Sequence, residues 1–160
     1  MASVSSGRLR LVMATLSARL DDDYKTAMKA HERLRIDTIR MIKASIQRAA
    51  MDKRKDALED SEVLQVLSQQ AKQRQETIDA AAKSGRQDIL AQAKQELALI
   101  TAYLPAKLSP DALKSLIDEA IRTVGADQGQ IMKYVMAKAA GAADGKVVSQ
   151  LVTERLKTAA

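Results

Sequence analysis

The chain has 160 residues, which is enough for one ordinary domain or two small ones. It contains no cysteine, which excludes disulfides, thiolate zinc sites and cysteine nucleophiles, and no apolar run approaches the roughly 18 residues of a membrane span. We therefore expect no membrane partner. The net charge of +6 favours an anionic partner such as RNA, DNA or an acidic protein.

The composition predicts an all-α fold. Proline occurs only twice and glycine six times, whereas strong helix formers are abundant and no alternating β-branched pattern is present. Because Phe and Trp are absent, the core must consist of Leu, Ile, Val, Ala and Met. We expect an N-terminal helical region of about four helices, followed by a C-terminal module of three helices.

The first 20 residues carry Arg8, Arg10 and Arg19, several serines and no acid. This pattern resembles an organelle transit segment. The alternative, which we favour, is a short extension over residues 1–13, expected to be disordered, that leads into the first helix. We accordingly predict a cytoplasmic protein, with import into an organelle as the alternative.

Apolar residues recur every three to four positions through the N-terminal region and predict amphipathic helices. One set runs from Leu9, Val12 and Met13 to Met28, and a second runs from Ile39 to Ala49. Since neither glycine nor proline separates these two sets, the pattern permits one long helix. The charged residues 51–61 predict a loop.

Two further helices are predicted before the prolines. The third runs from Val63 to Ala82, and Gly85 fits the left-handed residue just past its end. The fourth runs from Leu90 to Leu104 and is stopped by Pro105. We therefore place an N-terminal helical domain at residues 14–104.

Residues 105–160 are predicted to form the three-helix domain. Ser109, Pro110 and Asp111 have the order of an N-cap, a first-turn proline and a first-turn acid. Gly125 ends this helix, and Asp127 caps the next. The last two helices are separated by the glycine-containing segment considered next.

The segment "AAGAADGKVVSQLV", residues 139–152, has two glycines followed by a lysine. A phosphate-binding loop needs four residues between the first Gly and Gly-Lys, then Ser or Thr. Here three residues intervene and Val147 follows, so we favour a helix end at Gly141 and a new helix capped by Asp144. As an alternative, Lys146 in the first turn binds an RNA phosphate, because free backbone N–H groups there favour anions.

No catalytic constellation, metal site or cofactor site is predicted. His31 is the only histidine and is expected at the surface. Asp21, Asp22 and Asp23 are consecutive, and helical geometry turns them about 100° apart, so they do not converge on one metal ion.

Residues 31–55 are the most basic stretch, with eight cations against three acids, a local charge of +5. Such a face can neutralise phosphates in a salt-sensitive manner, although a solvated helix face has the same pattern. The scarcity of aromatics argues against stacking on single-stranded bases and favours recognition of folded RNA by its backbone and shape.

Several motifs together resemble the GatB/YqeY family over about residues 15–157. They are "AMKAHERLRIDTIRMIKASIQ" at 27–47, "KQR" at 72–74, "GRQD" at 85–88, "YLP" at 103–105 and "GQIMKYVMAKAAGAADGKVVSQLV" at 129–152. The resemblance implies two all-helical parts, the second similar to the tail of the B subunit of the tRNA-dependent amidotransferase. In that enzyme the tail contacts tRNA, and catalysis lies in domains that stand-alone members lack.

Carried over residue by residue, the resemblance matches Gly129, Met132, Lys133, Lys138, Gly141, Asp144, Gly145 and Lys146 to the tail pattern. Gln130 and Ala142 stand where the family often has Lys and Arg, which removes positive charge from this face. Gln128 departs from a frequent Met. The predicted nucleic-acid contacts are Lys133, Lys138, Gly141, Gly145 and Lys146 in the tail-like part, and Arg33, Arg35, Arg40 and Lys43 in the basic stretch.

Different classes of function remain open at this point. The first is a non-catalytic adapter that binds tRNA or other structured RNA, linked to tRNA-dependent amidotransferase systems. The second, implied by the resemblance alone, is carbon–nitrogen ligase activity with glutamine as amido-N-donor, acting with an amidotransferase or other protein partner. The third is a protein-interaction module that binds another helix through an Ala/Met groove.

Overall fold

The computed structural model describes residues 15–139 and 141–158. These residues contain seven α-helices and no strand, which confirms the all-α prediction. The helices are α1 (Leu16–Lys29), α2 (Arg33–Asp52), α3 (Asp60–Ser84), α4 (Gln87–Thr101), α5 (Pro110–Val124), α6 (Gln128–Ala139) and α7 (Gly145–Thr158). Within the described part, no helix is long and apolar enough to cross a membrane. The extension predicted at 1–13, with Leu9, Val12 and Met13, lies outside the described residues.

The described helices form two compact units, one ending at Tyr103 and the other beginning at Leu104. In the first unit, α3 and α4 form a helical hairpin, and α2 packs against α1, α3 and α4. Fully buried side chains of the first four helices include Leu20, Ile39, Ile42, Leu67 and Ile100. These positions recur at helical spacing, so the apolar stripes of the sequence are the faces that the helices bury.

A turn at residues 30–32 separates α1 from α2, although the sequence pattern permitted one long helix. His31 is exposed and adopts a left-handed φ of 55°. Its N–H donates to the Met28 carbonyl at 3.3 Å, and the Glu32 N–H donates to the Ala27 carbonyl at 3.0 Å. These bonds satisfy carbonyls at the end of α1, so the turn forms without glycine.

Both ends of α3 follow from local chemistry. The Glu59 and Glu62 side chains form a capping box at the start of α3, and Gly85 adopts a left-handed φ of 71° at its end, as predicted. The end of α4 differs from the prediction because the helix stops at Thr101, so Leu104 lies beyond it. Tyr103 is instead buried and donates a hydrogen bond to the Asp23 carboxylate in α1.

An ion pair also connects α3 to α4. The Arg74 Nε lies 2.6 Å from the Glu96 Oε2, and the two side chains are 18% and 17% exposed. The Arg74 Nη2 in addition contacts the Met41 sulfur of α2. Arg74 is the arginine of the "KQR" motif, and its surroundings give it a structural role.

In the second unit, short polar caps set the helix boundaries. The Ser109 hydroxyl accepts from the Ala112 N–H at 3.1 Å, and the Asp127 carboxylate accepts from the Gln130 N–H at 2.9 Å. Gly125 and Gly141 both have a φ of 87°, a region that favours glycine. The core of this unit consists of Leu113, Ile117, Ala120, Ile131, Val135, Val148 and Val152.

Candidate nucleic-acid interface

One side of α2 presents exposed arginines to solvent. Arg33, Arg40 and Arg48 are all exposed and lie within an arc of about 80° around the helix. The side chains of Arg33 and Arg40 are 91% and 62% exposed. The acid on this side is Asp37, which lies 3.7 Å from Arg33 and 3.6 Å from Arg40. We call Arg33, Arg40 and Arg48 the arginine face of α2.

Arg40 also donates to the Tyr24 hydroxyl of α1 at 3.2 Å, and two other predicted contacts of α2 pair with acids of α1 and of the turn before α2. The Arg35 guanidinium bonds to Glu32 at 3.0 Å and lies 3.7 Å from Asp23. The hydrogen bond with Glu32 is the main cause that raises the pKa of Arg35. The Lys43 ammonium lies 2.7 Å from Asp21 and 5.1 Å from the centre of the Tyr24 ring. Arg35 and Lys43 therefore hold α2 against α1.

The cations beyond the end of α2 share one carboxylate. Lys53 and Lys55 lie 2.9 and 2.8 Å from Glu62 of α3. With Asp21 and Asp23, Glu62 is one of three carboxylates from outside residues 31–55 that pair with this stretch. They lower its local charge from +5 to +2.

Replacing Glu62 with glutamine is expected to remove an acid-sensitive part of the stability. Hydrogen bonds from Lys55, the Glu59 backbone and Lys53 lower the pKa of Glu62 from its usual 4.5 to about 2. A carboxylate with a depressed folded-state pKa stabilises the protein above its unfolded pKa, and this contribution is lost as the pH falls from 4.5 towards 2. Urea unfolding followed by circular dichroism from neutral pH to pH 2 measures this loss.

Glu76→Gln provides the control, because Glu76 is an exposed glutamate of the same helix that makes no ion pair within the described residues. The Glu62→Gln protein should lose less stability than the parent between pH 4.5 and pH 2, whereas Glu76→Gln should follow the parent. If Glu62→Gln and the parent lose the same stability between pH 4.5 and pH 2, Glu62 is not the source of the acid-sensitive stability.

In the second unit, the predicted nucleic-acid contacts lie on different faces. Lys133 and Lys138 are both exposed, but they are five positions apart, which turns them about 140° from each other around α6. The Lys138 ammonium lies 3.5 Å from Glu119 and 5.6 Å from the centre of the Tyr134 ring. Tyr134 and then Glu119 raise the pKa of Lys138. Lys138 is thus paired within the fold, whereas Lys133 has no ion pair in the described part of the chain.

Gly141, Gly145 and Lys146 lie at the turn into α7. Gly141 takes the positive φ described above, whereas Gly145 is the first residue of α7 and Lys146 is exposed in its first turn. The Asp144 carboxylate accepts the Lys146 N–H at 2.8 Å. Asp144 therefore occupies one of the first-turn donors that the phosphate alternative requires.

Metal coordination finds no support among residues 15–139 and 141–158, where no group of His, Asp or Glu could hold an ion. Asp21 pairs with Lys43, and Asp23 accepts from Tyr103. The consecutive aspartates thus serve different partners on α2 and beyond α4.

Two features escaped the sequence analysis. The first is the place of Arg48 on the arginine face: it was counted among the eight cations of the basic stretch but not among the predicted contacts, although its spacing of eight residues from Arg40 was an available signal. The second is the cluster around Tyr103, where the Arg19 guanidinium stacks 4.7 Å from the ring centre. Burial, followed by the hydrogen bond to Asp23, raises the pKa of Tyr103. Because Tyr103 and Asp23 are 80 residues apart, no local pattern marks this contact.

Comparison with known proteins gives one family and two relatives. The family described as "Yqey-like protein" matches residues 17–156. The chain is 35% identical over 89 residues to "Altered inheritance of mitochondria protein 41, mitochondrial" of Eremothecium gossypii, covering 56% of this chain and 49% of that protein. It is 27% identical over 122 residues to the protein of the same name from Vanderwaltozyma polyspora, covering 74% and 66%. The matched part thus spans about half to two thirds of these relatives.

Proposed function

This chain belongs to the YqeY-like family, and from that premise we propose that it is a non-catalytic RNA-binding protein. Its ligand class is structured RNA such as tRNA, and the arginine face of α2 carries the main contact. The supporting observation is the set of three exposed arginines on one side of a helix, opposed by Asp37 alone.

The spacing of the arginine face suits a polyanion. Arg33 and Arg40 are about 10.5 Å apart along the helix axis, and Arg40 and Arg48 about 12 Å. A nucleic-acid backbone carries closely spaced negative charges, so each guanidinium can reach a different phosphate. Guanidinium groups bind phosphate oxygens in a bidentate manner, and the exposed ion pairs with Asp37 are worth only about 0–1 kcal/mol.

The remaining predicted residues have secondary roles in this proposal. Lys133 and Lys146 are exposed and add positive charge to the second unit, which has eight cations against six acids from residue 104 onwards. Arg35, Lys43 and Lys138 act mainly inside the fold through their carboxylate partners. The link to tRNA-dependent amidotransferases rests on the resemblance of the tail-like part, and glutaminase activity of the purified chain would overturn the non-catalytic assignment.

Replacing the arginine face is expected to weaken tRNA binding and flatten its salt dependence. Each phosphate contact contributes about 0.7–0.9 to the slope of log K against log salt, so Arg33→Gln/Arg40→Gln/Arg48→Gln should lower the slope by about 2–3. Filter binding to a tRNA transcript between about 50 and about 200 mM salt measures both the affinity and the slope.

The matched control is Lys72→Gln/Lys83→Gln/Lys94→Gln. It removes the same charge from exposed positions of α3 and α4 that make no ion pair within the described residues. The control should keep a slope within about one of the parent, because it lowers only the general field of the protein. If both triple variants lose the same tRNA affinity and the same slope, tRNA binding depends only on the net charge, and the arginine face is not the contact.

The names of the two relatives concern the cellular location of this chain. Both are named as mitochondrial proteins, which supports the organellar alternative for this chain over the cytoplasmic prediction. The stretch that precedes α1 carries Arg8 and Arg10 without an acid, and its composition resembles that of an import signal.

A further inference from the structure

The first unit contains an open groove of about 850 Å³ bounded by α1, α2 and α4. Its lining includes Leu34 and Ile39 on α2, which we call the floor, with Ala98 and Leu99 on α4 and Ala102 just past the end of α4. Ala98 and Ala102 are exposed, and Leu34 and Leu99 are half-buried. The groove therefore offers apolar surface to solvent between two helices.

The acids at this groove are already engaged. The Glu32 carboxylate accepts from Arg35 at 3.0 Å. Asp23 accepts from the Tyr103 hydroxyl and lies 3.7 Å from Arg35. Both carboxylates thus have partners within the groove wall.

Two arginines at the same groove retain capacity for an incoming anion. Arg19 stacks on Tyr103 and donates to the Ala102 carbonyl at 3.3 Å, and it makes no ion pair within the described residues. Arg33 is 91% exposed and lies 3.7 Å from Asp37. The groove consequently combines an apolar floor with a cationic edge.

We propose that this groove docks an acidic amphipathic helix of a partner protein. Its apolar face would cover Leu34, Leu99 and Ala98, and its flanking carboxylates would meet Arg19 and Arg33. Helices bind apolar grooves through side chains at i, i+3, i+4 and i+7. RNA is the less suitable occupant, because its phosphate backbone offers no apolar face to cover Leu34, Leu99 and Ala98.

The proposal is tested with a helical peptide of about 16 residues, cross-linked into its helical form because short free helices are marginal in water. It carries Leu at i, i+3, i+4 and i+7 with Glu at the flanking positions, and a second peptide carries Lys in place of Glu. Fluorescence anisotropy measures the affinity for the full chain. NMR shifts locate the site, with Ala98 and Ala102 amides expected to move.

Ala98→Glu places a longer, negatively charged side chain in the groove at an exposed helical position, where circular dichroism should show an unchanged fold. Ala91→Glu makes the same change on α4 at an exposed position that does not line the groove. We expect Ala98→Glu to weaken binding of the Glu peptide about tenfold or more and Ala91→Glu to change it less than about twofold, and we expect the Lys peptide to bind the parent about tenfold more weakly than the Glu peptide.

Equal effects of the two glutamate variants, equal binding of the two peptides, or shifts away from the groove would overturn the proposal. If tRNA displaces the Glu peptide and Ala98→Glu loses the binding of both, the groove is an RNA site. Dissociation of a dimer by Ala98→Glu would identify a second copy as the occupant. Because Ala98→Glu retains the arginine face, tRNA binding equal to that of Ala91→Glu separates the two functions.

Discussion

Ile117→Ala is expected to unfold most of the second unit at room temperature. Ile117 is 1% exposed and lies in the centre of the cluster shared by α5, α6 and α7. Truncation of a buried Ile to Ala removes apolar contacts and leaves a cavity, at a cost of about 2–5 kcal/mol. A core of this size supplies only about 3–5 kcal/mol of net stability, so a single cavity consumes most of it.

Heteronuclear NMR measures this effect unit by unit. Amide signals of residues 104–158 should collapse to the random-coil region in Ile117→Ala, and signals of α1 to α4 should keep their dispersion. Val147→Ala is the control because Val147 is 44% exposed on α7, and it should change the stability by less than about 0.5 kcal/mol. Retained dispersion throughout Ile117→Ala would contradict the role of this cluster.

Arg74→Met is expected to destabilise the first unit by about 2 kcal/mol. It removes one partner of the half-buried pair with Glu96 and leaves that carboxylate without its 2.6 Å partner between α3 and α4. Breaking a fully buried pair costs about 3–5 kcal/mol, and the residual exposure of both side chains reduces this figure. Met retains much of the apolar stem of the arginine, so lost packing is a minor part of the effect.

A double-mutant cycle with Glu96→Gln separates the pair from other effects. The double variant should be more stable than the sum of the single changes predicts, with a coupling of about 1 kcal/mol or more in urea unfolding. The corresponding cycle for Arg33 and Asp37, an exposed pair at 3.7 Å, should give a coupling below about 0.5 kcal/mol. A coupling near zero for Arg74 and Glu96 would contradict the structural role of this pair.

The helix ends show which parts of the fold can be predicted from the sequence. Gly85, Ser109 and Asp127 act through bonds to residues at most four positions away, so their roles follow from local chemistry. His31 was not recognised as a helix break, because its left-handed turn involves no glycine. The early end of α4 has a tertiary cause, since burial of Tyr103 against Asp23 favours a turn before Pro105 is reached.

The candidate site was predictable only in part for the same reason. The sequence marks residues 31–55 as basic, and helical periodicity assigns Arg33 and Arg40 to one side. It does not mark Asp21 or Glu62 as the partners of Lys43 and the lysines after α2, because these contacts depend on helix packing. The exposed face is therefore narrower than the basic stretch suggests.

Each of the three tyrosines lies beneath a cation: Arg19 over Tyr103, Lys43 over Tyr24 and Lys138 over Tyr134. The chain has no tryptophan to dominate its ultraviolet emission. The phenol fluorescence is consequently a native optical reporter of these three cation–tyrosine contacts. Two of these chromophores precede Leu104 and one follows it, so replacing Tyr134 with phenylalanine leaves emission from the first unit alone.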